Sequence, residues 1–202
     1  MQILNGHEYE QSSLFDPEIK EWSRNLDIVL PIRTAEIVGF ENWICWNGFS
    51  EQHQGFDFAA YLSTKDEIVL GLPGELSVVA VADGNIVQAV KKPFGVAYGG
   101  FVNIEHGKEG SGLFSSYHHV VPSEKSGFVR KGDVIGYLYQ DPADHKIEGR
   151  IVHLHFELTN SWETRSFISE NVDPVTIFPE INMFQAKPQS ELAFKIKRNL
   201  GY

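Results

Sequence analysis

Cysteine is almost absent from this chain of 202 residues, in which Cys45 stands alone. One cysteine cannot form an intramolecular disulfide, and it excludes a zinc site built from several thiolates. We interpret Cys45, which lies between aromatic neighbours in NWICWNGF, as a small buried apolar residue. A chain of this length can bury a substantial core as one domain with extended ends.

Positive charge and long apolar runs are also scarce. Lysine and arginine number 17 against 27 aspartates and glutamates, which gives a formal net charge of −10. This balance argues against a nucleic-acid binder, which needs a basic surface. No segment reaches the length of a transmembrane helix. The first residues lack the basic start and apolar run of a secretory signal, which leaves two explanations open: export by another route, or a leader removed ahead of residue 1.

Short apolar or alternating runs recur from about residue 53 to residue 180 and predict a β-rich domain. The runs are ELSVVAVA, GNIVQAV, GFVNIEH, LFSSYHHVV, DVIGYLY and IVHLHFELT, and glycine-containing turns separate them. A parallel α/β fold would need helical patterns between the strands, and none is visible. We therefore expect a sandwich or barrel of mainly antiparallel strands over residues 51–180.

The two ends of the chain differ from this central pattern. Residues 1–50 are predicted to form an extension that packs on the main domain, with a short helix in DPEIKEWSRNL and short strands in LDIVLPI and AEIVGF. Residues 181–202 are predicted to form a polar tail that ends in a helix or strand, and we assign it no function.

Two histidine clusters are the strongest chemical signal. The first is HQGFD, from His53 to Asp57, and the second is HLHFE, from His153 to Glu157. In an extended strand His153 and His155 project from one face, while the alternating residues between and beside them are apolar. Imidazole and carboxylate groups suit a catalytic zinc, which takes three protein ligands and leaves one position open. The pattern therefore favours a metal site on the open face of a strand.

The blocks HQGFDFAA, ADGNIV, VNIEHG, SYHHV, RKGDVIG, HLHFEL and VDP occur in the order seen in one known family. Over about residues 53–179 the chain resembles the lysostaphin-type (LytM-like) zinc metallopeptidases, which are peptidoglycan endopeptidases. The resemblance implies a mainly antiparallel β fold of the barrel-sandwich hybrid type, with residues 51–180 as the peptidase domain. It also implies cleavage of peptide bonds in peptidoglycan stems or cross-bridges, or in a glycine-rich peptide, at the cell envelope or outside the cell.

Carried over by position, the resemblance implies that His53, Asp57 and His155 bind one zinc ion per chain. It also implies that His119, which matches the histidine of the family's usual Tyr-Ala-His-Leu, and His153 are the catalytic histidines. A zinc held in this way lowers the pKa of a bound water towards neutrality. Imidazole groups beside it can accept and donate protons near neutral pH.

Two neighbours of these residues, His118 and Glu157, are not among the predicted ligands or catalytic histidines. If SYHHV is a regular strand, His118 faces away from His119, and we expect a structural or solvent role for it. Glu157 shares a face with His153 and His155, where it either orients a ligand histidine or is a surface charge.

The link after DFAA is longer than usual in the family and contains either an inserted loop or an extra hairpin.

Two other classes of function remain as alternatives. A catalytically silent zinc-binding scaffold or regulator of cell-wall hydrolases is one, although such relatives normally lack a ligand and all five site positions are filled here. The turn KGDVIG also occurs in swinging-arm carrier and sugar-phosphotransferase domains. Those domains need a modified lysine or a phosphorylated histidine, and they do not explain His53 together with Asp57.

Overall fold

The computed structural model describes residues 26–44, 53, 55–91, 99–107, 113–140, 151–159, 171–172, 178 and 196–198. Within these ranges the chain forms strands and one short 3-10 helix, Thr34–Glu36. The strands are β1 (Phe40–Ile44), β2 (Phe56–Phe58), β3 (Ala60–Ser63), β4 (Ile68–Leu70), β5 (Ser77–Val79), β6 (Gly84–Val90), β7 (Gly100–His106), β8 (Leu113–Pro122), β9 (Gly127–Val129), β10 (Val134–Leu138), β11 (Leu154–Thr159), β12 (Asn171–Val172) and β13 (Ile196–Arg198). The described residues contain no helix long and apolar enough to cross a membrane.

The larger sheet has nine strands. Six of them follow the hydrogen-bonded order β12-β11-β8-β7-β6-β9, β2 pairs with β11, and β10 pairs with both β5 and β8. Every pairing in this sheet is antiparallel. Strands β5, β6, β7, β8, β10 and β11 all lie on runs that the sequence predicts as strands. The prediction of a mainly antiparallel β fold is confirmed.

The smaller sheet has four strands in the order β1-β3-β4-β13. Strands β3 and β4 form an antiparallel hairpin within the longer link that follows DFAA, so this link is an extra hairpin. Strand β13 pairs in parallel with β4, which places a strand in the C-terminal tail. The division of the chain into residues 1–50, 51–180 and 181–202 stays a prediction.

The segment before β1 differs from the prediction of two short strands. AEIVGF contains part of the 3-10 helix and a turn that leads into β1. LDIVLPI forms only an isolated antiparallel β-bridge, between Ile32 and Val78 of β5. Val79 N donates to the Pro31 carbonyl beside this bridge (2.9 Å), and Val29 N donates to the Val81 carbonyl (2.8 Å). Pro31 has no N–H and cannot continue a ladder there. The predicted helix in DPEIKEWSRNL, except its last residue, and Cys45 lie outside the described residues.

The main core packs against one face of β11 and β8. Leu154 and Phe156 of β11 are completely buried, whereas His155 and Glu157, which alternate with them, are partly exposed. The ring of Tyr117 in β8 packs edge-on against Phe156 at a centroid distance of 5.2 Å. One face of the strand therefore anchors it in the core, and the opposite face is left to carry polar side chains.

Candidate metal centre and its histidine cluster

The two histidine clusters meet where β2 pairs with β11. Asp57 lies directly opposite His155 in the strand register. Nδ1 of His155 donates to Oδ1 of Asp57 at 2.9 Å, and Nε2 of His53 lies 3.2 Å from the same oxygen. The potential ligand atoms of His53, Asp57 and His155 all lie within 4.8 Å of one another. The antiparallel pairing thus brings all three predicted ligands to one point.

These residues fit a zinc ion by their chemistry. Two imidazole nitrogens and one carboxylate oxygen form a donor set that zinc accepts while keeping a position open. Asp57 is only 8% exposed, and a buried carboxylate is costly unless a cation or hydrogen-bond donors compensate it. No second group of three such side chains occurs in the part of the chain that the structure describes.

The electrostatics of the centre are dominated by contacts between imidazole and carboxylate groups. Burial alone would raise the pKa of Asp57, but hydrogen bonds from His155 and His53 outweigh it and hold that pKa well below its usual range. Burial alone would lower the pKa of His155, but its bonds to Asp57 and Glu157 raise it to about 9. These two contacts favour the protonated form of His155, and a metal bound at Nδ1 would displace the proton from that nitrogen.

Gly55 gives the ring of His155 its space. A Cβ atom at this position would lie 2.7 Å from both Cε1 and Nε2 of His155 and 2.8 Å from the Phe156 carbonyl oxygen. Such distances are well inside normal van der Waals contact, so any larger residue must displace the ring or the strand. The lack of a side chain at Gly55 therefore allows the segment that leads into β2 to lie close to the ring of His155.

A β-bulge in β8 sets the positions of the next two histidines. His118 pairs with Phe101 of β7, while Val120 pairs with the preceding Gly100, so His119 is the extra residue. His119 has a φ of 64°, in the left-handed region that histidine adopts more readily than most non-glycine residues. At the same point β8 changes its second partner from β11 to β10.

Both histidines of the bulge lie near the metal centre. The ring centroid of His119 lies 4.5 Å from that of His153 and 6.4 Å from that of His155. The ring of His118 lies 5.4 Å from that of His155, and its Nε2 is 3.8 Å from Oε1 of Glu157. The expectation that His118 faces away from His119 is therefore wrong. Side chains alternate only in a regular strand, and the bulge interrupts the alternation.

His153 precedes β11 and presents one defined nitrogen to the centre. Its Nδ1 lies 2.9 Å from the carbonyl oxygen of Ile151, which can only accept a hydrogen bond, so Nδ1 carries the proton. Nε2 is then the nitrogen with a free lone pair, and it lies 4.0 Å from Oδ1 of Asp57. The catalytic roles of His119 and His153 stay predictions, but both rings lie beside the three potential ligands.

Another histidine, His106, belongs to a separate network in the same sheet. Its Nδ1 donates to the Asp83 carbonyl at 2.9 Å, and Ser115 Oγ lies 2.7 Å from its Nε2. The Ser115 and Tyr117 hydroxyl groups are 3.1 Å apart, and Val81 N donates to Tyr117 Oη. Complete burial lowers the pKa of His106, against a smaller opposing effect of the contact with Asp83. This histidine is neutral and structural.

Two imidazoles and a carboxylate thus meet on an antiparallel sheet and form a candidate metal centre. The sequence profile described as Peptidase family M23 matches residues 51–174, which is more than half of the chain. The chain therefore belongs to peptidase family M23, in agreement with the LytM-like resemblance of its motifs. No curated protein sequence matches it.

Several solved structures resemble the fold at low identity. The antimicrobial peptidase lysostaphin from Staphylococcus simulans is 21% identical over 72% of this chain and 53% of its own, with a TM-score of 0.48. CbpA from L. salivarius REN is 18% identical over 82% of this chain and 97% of its own, with a TM-score of 0.45. The catalytic domain of the prophage-encoded M23 protein EnpA from Enterococcus faecalis, solved as a point mutant, is 18% identical over 71% of this chain and 93% of its own (TM-score 0.43). The chain thus spans little more than half of the lysostaphin chain.

Proposed function

We propose that this protein is a zinc-dependent endopeptidase that hydrolyses peptide bonds in the stems or cross-bridges of peptidoglycan. The observation that carries the proposal is the convergence of His53, Asp57 and His155, with His119 and His153 beside them. Membership of a peptidase family supports hydrolysis of a peptide bond. The LytM-like resemblance supplies the substrate class and, with it, action at the cell envelope or outside the cell.

The metal would be held by Nε2 of His53, Oδ1 of Asp57 and Nδ1 of His155. Zinc bound at this point supplies Lewis acidity, which polarises a substrate carbonyl and makes water acidic enough to lose a proton near neutral pH. The contacts of Asp57 with both histidines keep these three atoms close together.

His153 is suited to accept a proton. The bond from its Nδ1 to the Ile151 carbonyl holds the ring and leaves Nε2 as the basic nitrogen on the side of Asp57. His119 contacts His153 ring to ring, and the bulge fixes its backbone. We assign to His119 the stabilisation of the oxyanion and protonation of the leaving amine. Neither ring belongs to the ligand set, so replacing either one should leave zinc binding intact.

The decisive experiment is digestion of purified peptidoglycan from several wall types, with the released ends identified by mass spectrometry. The zinc-loaded protein should release new amino and carboxyl ends, and His119→Ala should release none while it retains one zinc per chain. Release of the same fragments by His119→Ala would contradict the role of that histidine. A zinc-loaded parent protein that releases nothing from any wall type would instead favour the silent scaffold or regulator.

A further inference from the structure

Glu157 contacts the ring of His155 on the side away from Asp57. Nε2 of His155 donates to Oε1 of Glu157 at 2.7 Å, while Nδ1 of the same ring donates to Asp57 at 2.9 Å. The imidazole is thus held at both nitrogens, by one carboxylate in β2 and one in β11. Glu157 is itself three-quarters buried, with its side chain 25% exposed.

The geometry points to Glu157 as a positioning residue that fixes the orientation and tautomer of His155, with His118 confining Glu157 from the neighbouring strand. This inference rests on the proposed metal site. Histidine can offer either ring nitrogen to a metal, and the partner of the other nitrogen decides which. Because the Nε2–H group donates to Glu157, Nδ1 is the nitrogen whose lone pair can bind a metal. It lies at the point where His53 and Asp57 meet.

Gly55 lies close to the ring of His155 on the side of the Nε2–H group. Its backbone is beside the Cε1–Nε2 edge of the ring, and the N–H group on this edge needs a hydrogen-bond acceptor. Glu157 is the acceptor that this arrangement provides. Without it, the Nε2–H group of His155 would lose its hydrogen bond, and one of the two contacts that orient the ring would be gone.

His118 lies where it can hold the carboxylate of Glu157 in place. It faces His155 directly across β8 and β11, and its Nε2 is 3.8 Å from the same Oε1 that His155 contacts. The rings of His118 and His155 are also in edge-on contact, with their centroids 5.4 Å apart.

The first test measures zinc affinity by competition with a chelator of known affinity. Loss of a hydrogen-bond partner behind a metal-bound histidine typically weakens binding about 10- to 100-fold, and we expect Glu157→Ala to fall in this range. Glu157→Gln keeps an oxygen that can accept the bond from Nε2, so it should restore most of the affinity. Glu124→Ala is the matched control, since it removes one negative charge from an exposed carboxylate that forms an ion pair with Lys91. Unchanged affinity in Glu157→Ala would overturn the proposal.

The second test asks whether His118 acts through Glu157. His118→Ala should weaken zinc binding less than Glu157→Ala does, because the bond to His155 remains. In the Glu157→Ala background the same change should cost almost nothing more, since the group that His118 confines is gone. Fully additive losses would show that His118 acts by another route and would remove it from the proposal.

The third test separates this inference from the proposed function. In long-range ¹H–¹⁵N spectra of the metal-free protein, the Nε2 proton of His155 should give a resonance protected from exchange in the parent and in Glu124→Ala. Glu157→Ala should lose it, although the backbone spectrum shows an intact fold. Persistence of this resonance in Glu157→Ala would refute the positioning role even if the enzyme is active. Failure of the parent protein to bind zinc would refute the proposed function, while this spectrum would still decide the hydrogen bond.

Discussion

His106 and His155 are both largely buried in the same sheet, yet their surroundings shift their pKa values in opposite directions. His106 lies between a backbone carbonyl and a serine hydroxyl, and burial lowers its pKa. His155 lies between two carboxylates, and their hydrogen bonds overcome burial and raise its pKa to about 9. Burial alone therefore does not decide the state of a histidine in this protein. The partners of the two ring nitrogens decide it.

The difference separates a structural histidine from a potential metal ligand. The neutral partners of His106 complete a network that binds the turn before β6 to β7 and β8. The anionic partners of His155 place negative charge on both sides of its ring, which favours its protonation and would also favour a divalent cation at the proposed site. Substitutions at the two positions should accordingly affect different observables.

The largest effect is expected for His155→Ala. This change removes a ligand atom and leaves the buried Asp57 with fewer donors, so zinc affinity should fall by more than about 100-fold, beyond the loss of an outer partner alone. Peptidoglycan hydrolysis should fall with it. Metal content after desalting and the release of wall peptides measure the two effects. A variant that still binds one zinc tightly would show that His155 is not a ligand.

His106→Ala should lower the stability of the fold without changing the affinity for zinc. It leaves a cavity and removes the partner of the Asp83 carbonyl and the Ser115 hydroxyl, so we expect the free energy of unfolding to fall by about 2–4 kcal/mol. Denaturant unfolding of the metal-free protein measures this loss.

Tyr117→Phe is the matched control for the same network. It keeps the packed ring but deprives Val81 N–H of its acceptor, so its cost should be smaller, about 1–3 kcal/mol. Zinc affinity should be unchanged in both variants. A large loss of affinity in either one would mean that the two histidine environments are coupled.

Gly55→Ala should disturb the metal centre through packing alone. The added methyl group would overlap the ring of His155, and overpacking of this kind typically costs about 1–3 kcal/mol. Because the ring must move to relieve the overlap, we expect zinc affinity to fall by about tenfold, since each 1.4 kcal/mol is a factor of ten. Gly127→Ala is a suitable comparison, as nothing lies within 4 Å of its Cβ position, although its φ of 74° adds local strain. Equal affinities in the parent and Gly55→Ala would indicate that the ring tolerates displacement.

The smallest effect is the pH dependence of stability in the metal-free protein. The folded-state pKa of His106 lies below its ordinary value of 6.5, so the unfolded chain binds more protons just below that pH and stability rises as pH increases towards 6.5. The folded-state pKa of His155 is about 9, so its contribution to the free energy of unfolding is fully present below pH 6.5 and is lost as pH rises through 9.

With zinc removed by a chelator, His155→Ala should flatten the alkaline side of the profile of stability against pH, and His106→Ala should flatten the acid side. Identical profiles in the two variants would contradict the assignment.

Much of the larger sheet could be predicted because its strands alternate clearly. In IVHLHFELT every second residue is apolar, and these residues are the ones that the core buries. Periodicity places His153 and His155 on one face for the same reason. It cannot say which strands are neighbours, and the pairing of Asp57 with His155 joins residues 98 positions apart. That part of the site was predictable only through the family resemblance.

The errors have local causes. The bulge at His119 depends on a backbone in the left-handed region, and SYHHV contains no glycine or asparagine to indicate it. The run AEIVGF has the composition of a strand, but residues 34–36 form a 3-10 turn instead. The link after DFAA was compatible with a loop or a hairpin, because its apolar runs, YL and IVL, are too short to show a periodicity.

The long separation between Asp57 and His155 also determines when the centre can exist during synthesis. His53 and Asp57 leave the ribosome first, and β2 must wait for β11 before it has its partner in the sheet. Local hairpins such as β3–β4 can form well before that point, because their strands are close in the chain. A nascent chain that ends ahead of β11 has two of the three ligands and no means of aligning them. Tight capture of a metal ion would therefore mark a chain that already includes β11 and distinguish it from shorter forms that end before this strand.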